Sequence, residues 1–421
     1  MTFESFAAGH SLILWLAFGI ALIMGAVVNK TNFCTMGAVS DVVNMGDSSR
    51  MRAWVLAIAI ALLGVTIFEA MAYFSVDVTR PPYRGSNFAW LEYVIGGIMF
   101  GVGMTLGSGC GNKTLIRVGG GNIKSIIVLA VIGGFAYYMI NPFPGTDKTI
   151  YSELFYPWTS LASISLVGKQ DLGGLVNAAT GIDVGTLRLV FGLLIVAALT
   201  FIVFRSSDFR SNKDNILGGT VVGLAVLAAW YVSGGFATFS ADGDTYSWVQ
   251  YASDDVWSLI EEGKRPPAVA IQSFTFINPM GENFGYFLSG FNPSVITFGL
   301  MTLFGVISGS FLWSLMTKSF RIEWFVDFND FKTHFIGAIL MGVGGVLSLG
   351  CTFGQGITGV STLSVGSMIA LASIIFGSAL TMKVQYYKMC YEDEATFLKA
   401  LITALVDMRF LPGGMRKLDA I

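Results

Sequence analysis

One stretch constrains the fold of this chain more than any other. Gly101 to Gly120 reads GVGMTLGSGCGNKTLIRVGG. A glycine-rich apolar helix runs into a break, Cys110 sits at the break, and a short polar segment leads into a new apolar run. The pattern returns later. Ile95 to Cys110 reads IGGIMFGVGMTLGSGC and Ile336 to Cys351 reads IGAILMGVGGVLSLGC, nine identities in sixteen positions at an offset of 241. A weaker third copy lies near the N-terminus. There Gly25 stands nine residues before Cys34, as Gly101 does before Cys110 and Gly342 before Cys351. Three interrupted helices each present one thiol.

Of the 421 residues, 54% are hydrophobic and 12% charged, whereas soluble domains carry about 25% charged residues. Mean hydropathy is +0.67. So large an apolar load cannot be hidden in one soluble core, and the chain reads as an all-α polytopic membrane protein. Its 51 glycines are about 12% of the chain against a usual ~7%. Small residues let membrane helices approach closely and permit backbone turns where a helix breaks inside the bilayer. A net charge of −2 gives no reason to expect a nucleic-acid partner. Two histidines, His10 and His334, and four widely spaced cysteines without CxxC spacing signal neither a metal site nor a redox pair, and no cofactor is expected. With no basic region before it, the first apolar run reads as a true span rather than a cleaved signal peptide.

Nine spans are expected, near 11–29, 53–75, 91–109, 123–140, 187–204, 215–236, 294–316, 333–350 and 365–382. With the N-terminus outside, inner connections and tail carry 18 of the 25 basic residues, an asymmetry that favours N-out, C-in. The third span then runs inward before Cys110 and the eighth outward before Cys351. The matching windows are thus antiparallel, an inverted-topology pseudo-repeat with short re-entrant half-helices, in which a site forms at the repeat interface. One transmembrane domain fills 1–421. Residues 1–140 form the first half with the Cys34 and Cys110 arms, and 294–385 the second with the Cys351 arm. Two long outer loops cover 141–186 and 237–293. The second is acidic and aromatic (Asp242, Asp244, Asp254, Asp255, Glu261 and Glu262 near Trp248 and Trp257), fit either to cap the entrance or to remain a solvated loop with one amphipathic helix. The tail, 386–421, holds Glu392, Asp393 and Glu394 and then an amphipathic LKALITALVDMRFL on the inner face, where Cys390 is incidental.

A half-helix that starts inside the membrane has free backbone N–H groups and a positive dipole end, which suit an anion. Cys110 precedes such a start within Gly109, Gly111, Asn112, Lys113 and Thr114. Cys351 does so beside Gly350, Thr352 and Gln355, with Thr358 further on. Before Cys34, Thr31 or Asn32 could cap the next half-helix. A neutral thiol is a weak donor and a soft surface, able to touch a sulfur-bearing solute without trapping it. Lys113 or Arg117 could offset the burial of charge. A fourth arm, counted nine residues from Gly309, falls on Lys318, so the site would combine three thiols with one cationic or structural arm.

The segments TNFCTMGAVSD (Thr31–Asp41), GVGMTLGSGCGNKTLIRVGGG (Gly101–Gly121) and GVGGVLSLGCTFGQGITG (Gly342–Gly359) resemble the YeeE/YedE family of sulfur-transport membrane proteins. The resemblance implies an hourglass-like fold. It also implies bacterial or archaeal inner-membrane uptake of thiosulfate, relayed through S–H hydrogen bonds of three cysteines that correspond to Cys34, Cys110 and Cys351. A small cytoplasmic sulfur-carrier protein is an implied partner. The expected function is transport of thiosulfate or a related small inorganic sulfur anion, without enzymatic activity. The alternatives are a membrane sulfurtransferase forming a cysteine persulfide, and a permease for a selenium species, another sulfur species or a soft metal.

Overall fold

A computed structural model describes residues 1–419 except 242 and 262, and the backbone but not the side chain of residue 393. Asp242 and Glu262 of the acidic loop, and the Asp393 side chain in the tail, therefore lie outside the described residues. The first set of helices is α1 (Phe6–Thr31), α2 (Thr35–Ser40) with a π turn over Asp41–Met45, α3 (Ser49–Ala70), α4 (Trp90–Leu106), α5 (Gly111–Gly119) and α6 (Ile123–Ile140). Next come α7 (Ile150–Leu154), α8 (Tyr156–Thr159), α9 (Leu172–Thr180), α10 (Val184–Phe204), α11 (Ser207–Ser211) and α12 (Lys213–Gly234). The rest comprises α13 (Trp248–Tyr251), α14 (Asp254–Ile260), α15 (Ile277–Leu288), α16 (Phe298–Met316), α17 (Phe328–Leu347), a half-helix of mixed turns over 352–362, α18 (Val365–Tyr391) and α19 (Phe397–Asp407).

Among the described residues, eight helical segments are long and apolar enough to cross a membrane, and the protein is an all-α polytopic membrane protein. Apolar side chains such as Val190, Leu193, Leu194, Phe201 and Ile202 stay exposed along α10, as lipid-facing residues do. The expected span at 333–350 corresponds to α17. It falls short of that apolarity because its first two turns carry Asp330, Lys332 and His334, yet it lies along α4.

The α4–α17 contact explains the shared glycines. A methyl group on Gly96 would lie 2.5 Å from the Ser348 nitrogen and 2.8 Å from the Gly344 oxygen. Its counterpart at offset 241, Gly337, faces the Gly107 nitrogen at 2.6 Å and the Gly103 oxygen at 2.7 Å. Gly103 and Gly344 repeat the exchange with Gly337 and Gly96. The helices run antiparallel, and the contact maps onto itself by a half-turn, as a twofold interface does. Any side chain at these positions would push the two backbones apart. Other contacts follow the same rule. Gly101 abuts α18 where Gly342 abuts α6, and α1 lies on α16 as α12 lies on α3. The matched set thus includes α12 (Lys213–Gly234), which precedes position 294.

The two long connections are structured. Strands β1 (Thr2–Phe3), β2 (Asn87–Phe88), β3 (Ile164–Ser165), β4 (Thr238–Ala241) and β5 (Asp244–Ser247) form a β1–β4–β5 sheet and a β2–β3 pair. The acidic, aromatic connection folds over the start of α1. Phe6 stacks on Tyr251 and meets Trp257 edge-on, with centroids at 5.0 and 5.1 Å. Its later part is α15, an arm that enters the helix bundle and packs on α6.

Candidate functional site

Three helix breaks share one geometry. Asn32, Ser108 and Leu349, each two residues before a cysteine, have left-handed φ values of 50°, 55° and 59°. For a residue such as leucine that conformation costs about 1–2 kcal/mol. The chain then extends, with φ −153° and ψ 131° at Cys34 and φ −76° and ψ 174° at Cys110, and a new helix begins. Cys34 is the N-cap of α2 and Cys110 of α5, and Cys351 immediately precedes the 352–362 half-helix. Serine, threonine, aspartate or asparagine at an N-cap stabilises a helix by about 1 kcal/mol over residues that cap poorly. Cysteine at all three starts is therefore not explained by helix stability. Thr31 and Asn32 do not cap α2. Asn32 ends α1, and the Thr31 hydroxyl is given to the Val27 carbonyl at 2.9 Å.

All three sulfurs are buried: Cys34 is 4% exposed, Cys110 and Cys351 0%. The Cys34 and Cys110 side chains are neighbours, and Thr352, next to Cys351, neighbours Cys110. The Gly354 N–H, three residues into the last half-helix, donates to Cys351 Sγ at 3.5 Å. Asn32 accepts from Lys113 Nζ at 3.1 Å, tying the first arm to the second. Cys390 is exposed on α18, apart from the three.

Unpartnered polar atoms gather around these arms. Neither side-chain atom of Asn112 has a hydrogen-bond partner among the described residues, nor do Thr35 Oγ1, Thr352 Oγ1, Thr275 Oγ1 or Gln355 Oε1. A buried polar group without a partner costs about 1–3 kcal/mol, and these atoms lie on the thiol arms or against them. Other expected residues are already engaged. Thr114 donates to the Cys110 carbonyl at 3.2 Å, Gln355 Nε2 to the Ser348 carbonyl at 2.5 Å, and Thr358 to the Phe274 carbonyl at 2.6 Å. Gly109 lies against Lys113 and Arg117, and Gly350, at φ 159°, against Gln355. Neither Lys113 nor Arg117 has a carboxylate partner among the described residues, whereas Arg50, over Gly37 of α2, is paired with Asp41. Cations without counter-ions beside two thiols give that end of the site a positive field.

Lys318 is not the fourth arm. It is exposed, just past the end of α16. The segment that meets the thiol arms is the one leading into α15. Thr275 covers Gly354, Ile277 and the Met280 thioether cover Gly111, and Phe276, the N-cap of α15, touches Phe353 with centroids at 5.3 Å. Sequence reading passed over it because it has neither a cysteine nor the glycine spacing of the other three. The one available signal was an apolar SFTFINPMG inside an otherwise polar connection.

Each half-helix is also fixed at its far end. The α5 end is held at Asn122, which donates to Glu323 at 2.5 Å. The 352–362 end is held where Leu172 N–H donates to the Leu363 carbonyl and Val365 N–H to the Gln170 carbonyl, both 3.1 Å. Beside it Asp171 accepts two hydrogen bonds from Arg188 at 2.8 Å, and the buried Arg84 donates to the Thr362 carbonyl at 2.9 Å. A cleft of 620 Å³ opens here, lined by Glu69, Arg84, Arg188 and Ser361, at the opposite end of the half-helix from Cys351. No cluster of three or more metal-ligating side chains occurs among the described residues.

Fold and site together define a multi-pass membrane protein in which interrupted, pseudo-symmetric helices bring buried thiols to one centre. Residues 30–380 match the family described as sulphur transport, and the protein belongs to that family. It is similar to the thiosulfate transporter TsuA of Escherichia coli strain K12, with 23% identity over 362 residues, covering 84% of this chain and 90% of the relative. It is also similar to the thiosulfate transporter TsuA of Spirochaeta thermophila, with 20% identity over 372 residues, covering 87% and 97%.

Proposed function

We propose that the protein carries thiosulfate or a closely related inorganic sulfur anion inward across the cell inner membrane, along a path lined by Cys34, Cys110 and Cys351. The observation that carries this reading is the threefold use of a buried cysteine at the start of a half-helix, among unpartnered polar side chains. Helix N-termini offer N–H groups and positive dipole ends to the anion's charge. Thiol sulfurs offer weak, soft contacts, and weak contacts in series allow passage where one deep well would arrest it. Asn112 Nδ2 and Thr352 Oγ1 supply further donors, as does the second N–H of Gln355 Nε2, whose first goes to the Ser348 carbonyl. Lys113 and Arg117 draw the anion toward the Cys34 end. The names of the relatives support the substrate.

The face bearing Lys113, Arg117, Lys124, Arg205, Arg210, Arg321 and the C-terminal tail is the more basic, which favours a cytoplasmic position for it and an external N-terminus. A small cytoplasmic sulfur-carrier protein would receive the ion on that face. Persulfide chemistry needs an activated, accessible thiolate. His10 instead accepts from Trp248 Nε1, and His334 pairs with Asp330, so neither histidine serves a thiol.

Uptake of labelled thiosulfate into proteoliposomes tests the reading. Wild-type protein should accumulate label, the Cys110→Ala, Cys351→Ala double variant should not, and Cys390→Ala should match wild type. Wild-type uptake by the double variant would refute the thiol path. A persulfide on Cys110 or Cys351 after incubation, seen by mass spectrometry, would favour a sulfurtransferase instead.

A further inference from the structure

The proposed path is built from the arms. Trp54 belongs to none of them. It stands on α3, is 3% exposed, and lies where three arms meet. Its ring stacks on Phe33 at 4.9 Å and 21°, and meets Phe353 edge-on at 5.4 Å and 82°. Phe33 adjoins Cys34, and Phe353 follows Cys351 by two residues. The same Phe353 touches Phe33 at 6.0 Å and Phe276 of the fourth arm at 5.3 Å. Trp54 thus bridges the Cys34 and Cys351 arms, and its six-membered ring edge also approaches Gly356 of the half-helix.

The ring is fully engaged, but its nitrogen is not. Trp54 Nε1 has no acceptor among the described residues. An indole N–H can only donate, and when buried it usually finds a partner. Two other tryptophans as deeply buried obey that rule: Trp230 Nε1 donates to Ser361 Oγ and Trp248 Nε1 to His10 Nδ1, both at 3.2 Å. Even the more exposed Trp158 and Trp257 donate to carbonyls, at 2.7 and 3.1 Å. On the arms it bridges, Thr35 and Thr352, which follow Cys34 and Cys351 in sequence, also have no hydroxyl partner among the described residues, and neither does Thr275 of the fourth arm.

We propose that the Trp54 indole N–H is a binding donor for the oxygen atoms of the transported oxyanion, and so a specificity-determining residue outside the thiol arms. This rests on the transport reading above. Thiosulfate has one terminal sulfur and three oxygens. The thiols suit the soft sulfur, and the indole N–H suits an oxygen. One tryptophan between the Cys34 and Cys351 arms would then orient the ion as it passes from one to the other, by hydrogen bonding alone.

Trp54→Phe separates binding from packing, because it keeps an aromatic ring and removes only the donor and part of the bicycle. Two quantities are measured in detergent and proteoliposomes: the half-saturation concentration for thiosulfate uptake, and the rise in melting temperature caused by added thiosulfate. The expected result is a roughly tenfold higher half-saturation concentration and a smaller thiosulfate-induced rise. The ligand-free melting temperature should stay near that of wild type. Phe33→Leu, which loosens the stack, should instead lower the ligand-free melting temperature. The proposal is overturned if Trp54→Phe saturates within twofold of wild type, or if its ligand-free melting temperature falls as far as that of Phe33→Leu. Wild-type protein that neither transports thiosulfate nor is stabilised by it would instead remove the transport reading on which the proposal stands.

Discussion

The Cys110 and Cys351 breaks are related by one half-turn, yet they face different surroundings. Both place a left-handed residue two positions before the cysteine, and both start a half-helix at it. At Cys110 the neighbours are a second thiol and two cations, Lys113 and Arg117, without carboxylate partners among the described residues. At Cys351 they are neutral: Gln355, Thr275 and the rings of Phe353 and Phe276, with the Thr352 side chain reaching across to Cys110. The repeat therefore fixes where a thiol stands, while the side chains around it have diverged. One end offers long-range attraction and the other short-range contact. On the thiol path proposed above, that division would serve an ion that must both enter and leave, since a strongly cationic site at both ends would hold it.

The largest effect should come from removing sulfur without removing the cap. Cys110→Ser and Cys351→Ser each supply a better N-cap, so both should fold at least as stably as wild type, by up to about 1 kcal/mol. Both should lose nearly all thiosulfate uptake. Near-normal uptake by one but not the other would show that the two breaks differ in role and not only in surroundings.

A smaller effect should separate the two ends by charge. The Lys113→Met, Arg117→Met double variant should raise the half-saturation concentration about tenfold. Wild-type affinity should weaken with added salt, because partly exposed charges are screened over about 10 Å at 0.1 M. The variant's should hardly respond. An unchanged salt response would mean that these cations do not act on the ion.

The smallest effect on transport should come from the clamps at the far ends. Burial pushes the Asp171 carboxyl up, but its hydrogen bonds from Arg188 and the charge of Arg84 outweigh that and hold it below the usual carboxylate range. A group with a lowered folded pKa adds stability at pH above its unfolded value of about 3.9, and loses that contribution as pH falls through the folded value. Asp171→Asn should cost roughly 2–3 kcal/mol at neutral pH, less than a bare buried pair because Glu69 and Asp77 still face the arginines. The melting-temperature gap from wild type should be constant above about pH 5 and shrink below about pH 4. A gap that widens on acidification would break the assignment.

Much of this protein was legible in its order of residues. An apolar load beyond what a soluble core can hold required a bilayer. Glycines repeated at an offset of 241 required two helices whose backbones touch, and Gly96, Gly103, Gly337 and Gly344 do touch. The three thiol breaks followed from the same repeat, because a local pattern of glycine and cysteine directly encodes a local backbone path. Three things were not legible. The fourth arm, Thr275 to Met280, has no pattern that distinguishes it from a loop until α6 and the half-helices close around it. That Lys113 and Arg117 have no carboxylate partner among the described residues depends on which carboxylates the fold brings near, and Asp41 goes to Arg50 instead. Trp54 looks like any lipid-facing aromatic residue in a span. Only the meeting of segments some 300 residues apart encloses it between Phe33 and Phe353 and leaves its N–H without a partner among the described residues. Sequence determines what each segment can do alone, because periodicity and backbone preference act along the chain. Tertiary packing decides which groups are left unsatisfied, because that depends on every segment that arrives.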